Sequence, residues 1–185
     1  MKTHQTIKEM VLCALFAAIL CICSPLSIPI GPVPLTLSVF AVLLCAVTLK
    51  LRTAWLSVAV YLVLGLFLPL FSGGRNGLAA MTGVTGGYIW SYLLMVPVVR
   101  AFAGAPVREA ARYPLCLLGC VLAVGVCYMF GTAQFSLVAG GGVHHAVEVC
   151  VLPFVLPDLA KAACASALGL ALRRILDRLG LQEQA

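Results

Sequence analysis

The run Pro153-Phe154-Val155-Leu156-Pro157-Asp158-Leu159-Ala160-Lys161 sets an acid and a base three residues apart inside an apolar stretch. At that spacing both side chains share one face of a helix. A charge at membrane depth costs on the order of 3 kcal/mol or more, so such groups turn inward, pair, or line a ligand path. A carboxylate accepts hydrogen bonds and an ammonium donates them, so the pair can hold a small molecule that carries both kinds of polar group. An ion pair that only locks helices together is the structural alternative.

A second polar group is Ser72-Gly73-Gly74-Arg75-Asn76-Gly77, followed by Gly83-Val84-Thr85-Gly86-Gly87-Tyr88-Ile89-Trp90. Asn76 offers a donor and an acceptor, and Tyr88 an amphipathic ring. The glycines let backbone come close to a ligand or, equally, to another helix. With Thr36 and Thr85, these residues complete a candidate substrate-binding set of Thr36, Asn76, Thr85, Tyr88, Asp158 and Lys161. His144, His145 and Glu148 sit beside a glycine run, but two adjacent histidines without an HxxxH spacing are a weak metal signal. No nucleophile-plus-base arrangement is readable around Asp158, His144 or His145, so the chain does not read as an enzyme and no cofactor or metal is expected.

The elements that must position these residues follow from composition. The chain has 185 residues, 63% of them hydrophobic and only 10% charged. Its mean hydropathy is +1.11. That is more apolar surface than a soluble domain of this size can hide, so membrane lipid is the missing solvent. A spanning helix needs roughly 20 apolar residues, and the template fits along 7–24, 35–49, 54–71, 82–102, 114–138 and 146–172. The expected fold is all-α: one polytopic transmembrane substrate-binding domain over residues 1–185, with six transmembrane helices. Pro157 is expected to disrupt the sixth helix just before the charged pair.

Orientation follows from the basic residues, which cytoplasmic loops retain. Lys2, Lys8, Lys50, Arg52, Arg100, Arg108, Arg112, Arg173, Arg174 and Arg178 fall on one side and Arg75 alone on the other. Lys161 belongs to no loop. This ten-to-one split predicts both termini in the cytoplasm. The net charge of +6 is therefore topological and predicts no nucleic-acid partner. Lys161 precedes Arg173 by twelve residues, roughly 18 Å of helix, which puts it past the midplane on the external side. The nine cysteines lie within or at the edges of apolar runs without a CxxC, and read as packing residues.

Two further stretches have a role. Ser24-Pro25-Leu26-Ser27-Ile28-Pro29-Ile30-Gly31-Pro32-Val33-Pro34-Leu35-Thr36 is stiff, apolar and uncharged, and can fold over a cavity mouth as a lid. In the first helix, Ala14 and Ala18 form a small-xxx-small pair suited to close helix contact, within the chain or with a partner. No GxxxxGK[ST] loop is present, so no motor for ATP is built in.

Gly31-Pro32-Val33-Pro34-Leu35-Thr36-Leu37, Tyr61-Leu62-Val63-Leu64-Gly65-Leu66, Thr85-Gly86-Gly87-Tyr88, and Pro153-Phe154 through Asp158 and Lys161 together resemble the BioY proteins, the biotin-binding S components of energy-coupling factor transporters. The resemblance covers nearly the whole chain, and departs from the family pattern at Ser38, Leu68 and Val84. It implies a six-helix S-component fold with an outward-facing biotin cavity closed by the loop between the first two helices. It also implies that Asn76, Asp158 and Lys161 bind the ligand and that Ala14 and Ala18 meet a transmembrane coupling subunit. Two ATPase subunits would then supply the energy, and the resemblance implies the plasma membrane of a bacterium or archaeon as the location. An S component for another vitamin and a membrane protein whose charged pair is structural remain as alternatives.

Overall fold

The structure, a computed structural model, describes residues 2–30 and 33–181, with the side chains from Gln5 onward. Gly31 and Pro32 of the expected lid, and Lys2's side chain, lie outside the described residues. Eight helices follow one another among the described residues: α1 (Lys2–Cys23), α2 (Ser38–Thr48), α3 (Leu51–Phe67), α4 (Gly77–Thr82), α5 (Gly86–Ala103), α6 (Glu109–Ala139), α7 (Gly142–Cys150) and α8 (Val155–Arg178). The all-α expectation gains one exception. Between α1 and α2, β1 (Ser27–Ile28) and β2 (Leu35–Thr36) pair antiparallel, Ser27 with Thr36 and Ile28 with Leu35.

Helices α1, α5, α6 and α8 are long and apolar enough to cross a membrane, whereas α2 and α3 are apolar but shorter. Many large apolar side chains face outward, among them Phe67, Leu137 and Leu156, each more than 75% exposed. Water is the wrong solvent for such a surface. Helix α2 is the opposite case: every residue but Phe40 is buried, and it packs against α8, α5 and α1.

Helices α5 and α6 form the most extensive pairing, and glycines set its spacing. A Cβ on Gly87 would lie 2.2 Å from the Phe130 carbonyl oxygen, and one on Gly131 would lie 2.2 Å from the Tyr88 ring. The glycines of the Thr85-Gly86-Gly87-Tyr88 stretch therefore serve close helix approach, the second of the two readings the sequence left open.

Three expected boundaries are corrected. The 146–172 run is not one helix: α7 ends at Cys150, residues 151–154 form turns, and α8 begins at Val155. The 82–102 run starts as a helix only at Gly86, because Thr82 closes the short α4. The 54–71 run stops at Phe67, with Pro69 following. Pro157 does not disrupt a helix. It is the third residue of α8, where no intrahelical donor is lost, so proline fits the first turn.

The basic clusters of separate helices meet. Lys8 Nζ donates to the Gly180 carbonyl at 3.0 Å, Arg173 Nη1 to the Ala103 carbonyl at 2.6 Å, Lys50 pairs with Glu9 at 3.7 Å, and Arg174 pairs with Glu109. The α1 start, the α2–α3 connection, the α5 end and the α8 end thus lie at one pole of the molecule. Arg75 lies beyond the far end of α3, some 25 Å of helix away.

Candidate functional site

At the pole of Arg75 lies a partly enclosed cavity. Five of the six candidate binding residues line it: Thr36, Thr85, Tyr88, Asp158 and Lys161. Asn76 does not. It is exposed at the start of α4, outside the lining, and its side chain makes no cap bond.

Helix α8 presents the charged pair in its first two turns. Asp158 falls in the first, where the N-terminal end of the helix favours a carboxylate. Lys161 follows one turn later, and its Nζ donates to Asp158 Oδ1 at 2.8 Å. The two side chains are 5% and 12% exposed, so this is a buried pair whose strength depends on further hydrogen bonds. Those bonds are present. The Tyr128 hydroxyl of α6 donates to Asp158 Oδ2 at 2.7 Å, and Lys161 Nζ donates to the Thr36 carbonyl at 2.7 Å. An ammonium has three donors. Two are engaged here, which leaves one for a ligand oxygen.

The Lys161 bond to Thr36 joins α8 to β2, so the base of the ion pair also holds the loop between α1 and α2. That loop closes one side of the cavity with Val33, Pro34, Leu35 and Thr36. Val33 is buried in a small apolar cluster with Phe135, Ala146, Cys150 and Phe154. The loop is therefore latched twice, by a hydrogen bond at its return strand and by a hydrophobic plug near its tip.

The remaining wall is aromatic. Tyr61, Phe71, Tyr88, Tyr92, Tyr128 and Phe154 all contribute. Tyr61 meets Phe71 edge-on, with centroids 5.9 Å apart at 89°, and Tyr92 at 6.5 Å. The Ser24 and Tyr61 hydroxyls lie 2.5 Å apart, and Ser38 Oγ donates to Ser24 Oγ at 3.0 Å. Tyr88 donates to the Cys150 carbonyl at 3.2 Å, which ties α5 to the end of α7. The cavity thus offers flat apolar faces with a charged corner, suited to a compact ligand having an apolar body and polar ends.

Sequence reasoning missed Tyr128 and the Ser38–Ser24–Tyr61 chain, and it placed Ser72 in a polar stretch without counting it among the binding residues. A buried tyrosine needs a hydroxyl partner, so Tyr128 and Tyr61 carried a usable signal. His144 and Glu148 lie 3.5 Å apart on exposed α7, away from the cavity. Among the described residues no three His, Cys, Asp or Glu side chains form a group that could hold a metal ion. Ala14 and Ala18 are exposed on α1. Ala14 lines a shallow groove between α1 and α3 with Met10, Cys13, Leu56 and Val60, bounded by Glu9 and Arg52.

Residues 1–178 match the model of the BioY family. A probable biotin transporter BioY of Pyrococcus horikoshii is 38% identical over 159 residues, 85% of this chain and 91% of that protein. Biotin transporter BioY2 of Lactococcus lactis subsp. cremoris is 34% identical over 180 residues, 94% of each chain. Among solved structures, the crystal structure of the S-component for biotin from an ECF-type ABC transporter superposes with a TM-score of 0.84 at 24% identity, covering 94% of this chain and 95% of that one. The fold is therefore that of an S component.

Proposed function

Since the chain belongs to the BioY family, we propose that it is the biotin-binding S component of an energy-coupling factor transporter, a multi-pass protein of the cell membrane. The observation that carries this reading is the buried Asp158–Lys161 pair opening on an aromatic cavity beneath a latched loop. Biotin has a ureido ring with two N–H donors and one carbonyl acceptor, an apolar bicycle with a thioether, and a carboxylate on an alkyl tail. Asp158 can accept an N–H, Lys161 can donate to an oxygen, and the aromatic wall can cover the bicycle. Labelled biotin should bind the purified protein saturably and resist competition by riboflavin and thiamine. Preference for another vitamin would overturn the assignment of ligand.

We read six crossings: α1, α2, α3, α5, α6 and α8. Helix α2 spans only about 16 Å at 1.5 Å per residue. It is enclosed by protein rather than lipid, so the length that lipid demands does not apply to it. The pole where Lys8, Lys50, Arg173 and Arg174 gather is the cytoplasmic one, with both termini there. The cavity then opens outward.

The latched loop acts as the lid. Val33→Asp puts a charge into the plug formed with Phe135, Ala146, Cys150 and Phe154. It should speed release of labelled biotin by roughly tenfold or more in a cold-chase experiment, since burying an unpaired charge there is unfavourable. An unchanged release rate would show that the loop does not gate exit.

Release into the cell requires two ATPase subunits and the transmembrane coupling subunit, the last of which meets this chain through the exposed Ala14/Ala18 face of α1. Ala14→Leu with Ala18→Leu should leave biotin binding intact and block ATP-driven uptake when all subunits are co-expressed. Uptake at the wild-type rate would remove α1 from that interface.

A further inference from the structure

Four buried side-chain polar atoms lack a hydrogen-bond partner among the described residues: Gln5 Nε2, Ser72 Oγ, Arg100 Nη1 and Thr132 Oγ1. Only Ser72 belongs to the cavity wall. A buried hydroxyl without a partner bears its full desolvation penalty, so native structures rarely keep one unless something else meets it.

The backbone around Ser72 holds this arrangement firmly. The Phe71 N–H donates to the Arg75 carbonyl and the Gly74 N–H to the Phe71 carbonyl, each at 2.9 Å. Gly73 and Gly74 take φ of +70° and +72°, values that closing so tight a turn requires and that side-chain-bearing residues avoid. Arg75 clamps the turn from outside: its Nε donates to the Ser72 carbonyl at 3.1 Å and its Nη2 to Thr85 Oγ1 at 3.3 Å. Phe71, 1% exposed, anchors the turn against Tyr61. Phe71, Gly74, Arg75 and the Ser72 carbonyl are thus each held by a named contact, whereas the Ser72 hydroxyl at the cavity wall has no partner among the described residues.

We propose that the Ser72 hydroxyl donates a hydrogen bond to an oxygen of the bound ligand, at the polar end that the Asp158–Lys161 pair does not take. The inference rests on reading the cavity as a biotin site. Biotin carries an acceptor oxygen at each end, the ureido carbonyl and the carboxylate, separated by an apolar body. A charged corner satisfies one end. The other end needs a donor from a different wall, and the turn between α3 and α4 supplies it through Ser72. Asn76, four residues on in the same connection, is exposed and outside the lining.

The test is Ser72→Ala in the full-length purified protein, with equilibrium binding of labelled biotin and of biotinol, the analogue whose carboxylate is reduced to an alcohol. Biotin should bind roughly tenfold more weakly, as expected for one lost hydrogen bond. The melting temperature of the unliganded variant should be unchanged or higher, because the hydroxyl has no partner among the described residues. An equal fold-loss for both compounds supports contact with the ureido oxygen, and a larger loss for biotin supports contact with the carboxylate. Wild-type affinity in the variant, or a drop in unliganded melting temperature that accounts for weaker binding, overturns the proposal. Failure of the wild-type protein to bind biotin overturns the site reading itself, and is scored separately.

Discussion

Lys161→Ala is expected to weaken biotin binding by roughly a hundredfold or more, the scale on which truncating one member of a buried, hydrogen-bonded charge pair acts. The substitution leaves the Asp158 carboxylate 5% exposed with only the Tyr128 hydroxyl as a described partner, and takes the donor from the Thr36 carbonyl. Breaking such a pair also costs about 3–5 kcal/mol of stability. Weak binding alone would therefore not separate a ligand site from a structural clasp. The double variant Asp158→Asn/Lys161→Met makes the distinction, because neutral replacements of similar size leave no uncompensated charge. It should regain much of the melting temperature lost in Lys161→Ala and still fail to bind biotin. If Asp158→Asn and Lys161→Ala bind biotin as the wild type does, the pair is only a clasp.

Gly87→Ala is expected to perturb the cavity's frame severely through a single added methyl group, because it forces the α5–α6 contact apart. The new carbon would meet the Phe130 carbonyl oxygen at 2.2 Å, and backbone cannot rotate away as a side chain can. Helices α5 and α6 must separate, carrying Thr85 and Tyr88 with them. Overpacking of this kind costs roughly 3 kcal/mol, and a melting curve in detergent should register it together with a loss of biotin binding. Gly125→Ala in the same α6 provides the contrast, since its added carbon meets nothing within 4 Å. That variant should be neutral or more stable by about 1 kcal/mol, the helix-propensity difference between the two residues. Equal melting temperatures for Gly87→Ala and the wild type would mean that the α5–α6 approach is looser than its geometry.

What the sequence made readable depended on how local the physics was. The i,i+3 spacing of Asp158 and Lys161 is a property of one helix, and the pair forms as that spacing requires. The proline-rich loop was readable for the same reason, as its stiffness and lack of charge are intrinsic to its residues. The break between α7 and α8 was not, because hydropathy follows side chains and the 146–172 run stays apolar while its backbone turns at 151–154. Pro157 was placed as an interruption when it begins a helix, a difference set by where the preceding turn ends. Tyr128 escaped notice because its partner is thirty residues away, on another helix. Asn76 and Ser72 show the limit most clearly: both are small polar residues in one glycine-rich connection. The left-handed backbone at Gly73, Gly74 and Gly77 turns this connection, leaving Ser72 on the cavity wall and Asn76 exposed.

Lys161 grips the loop between α1 and α2 through the carbonyl of Thr36, a main-chain group that every amino acid supplies. The hold is consequently indifferent to the side chain at position 36. Substitutions there can reshape the cavity's rim, and with it the choice among related ligands, without loosening the closure. Closure strength and rim chemistry are in this way independently adjustable, the first from α8 and the second from the loop.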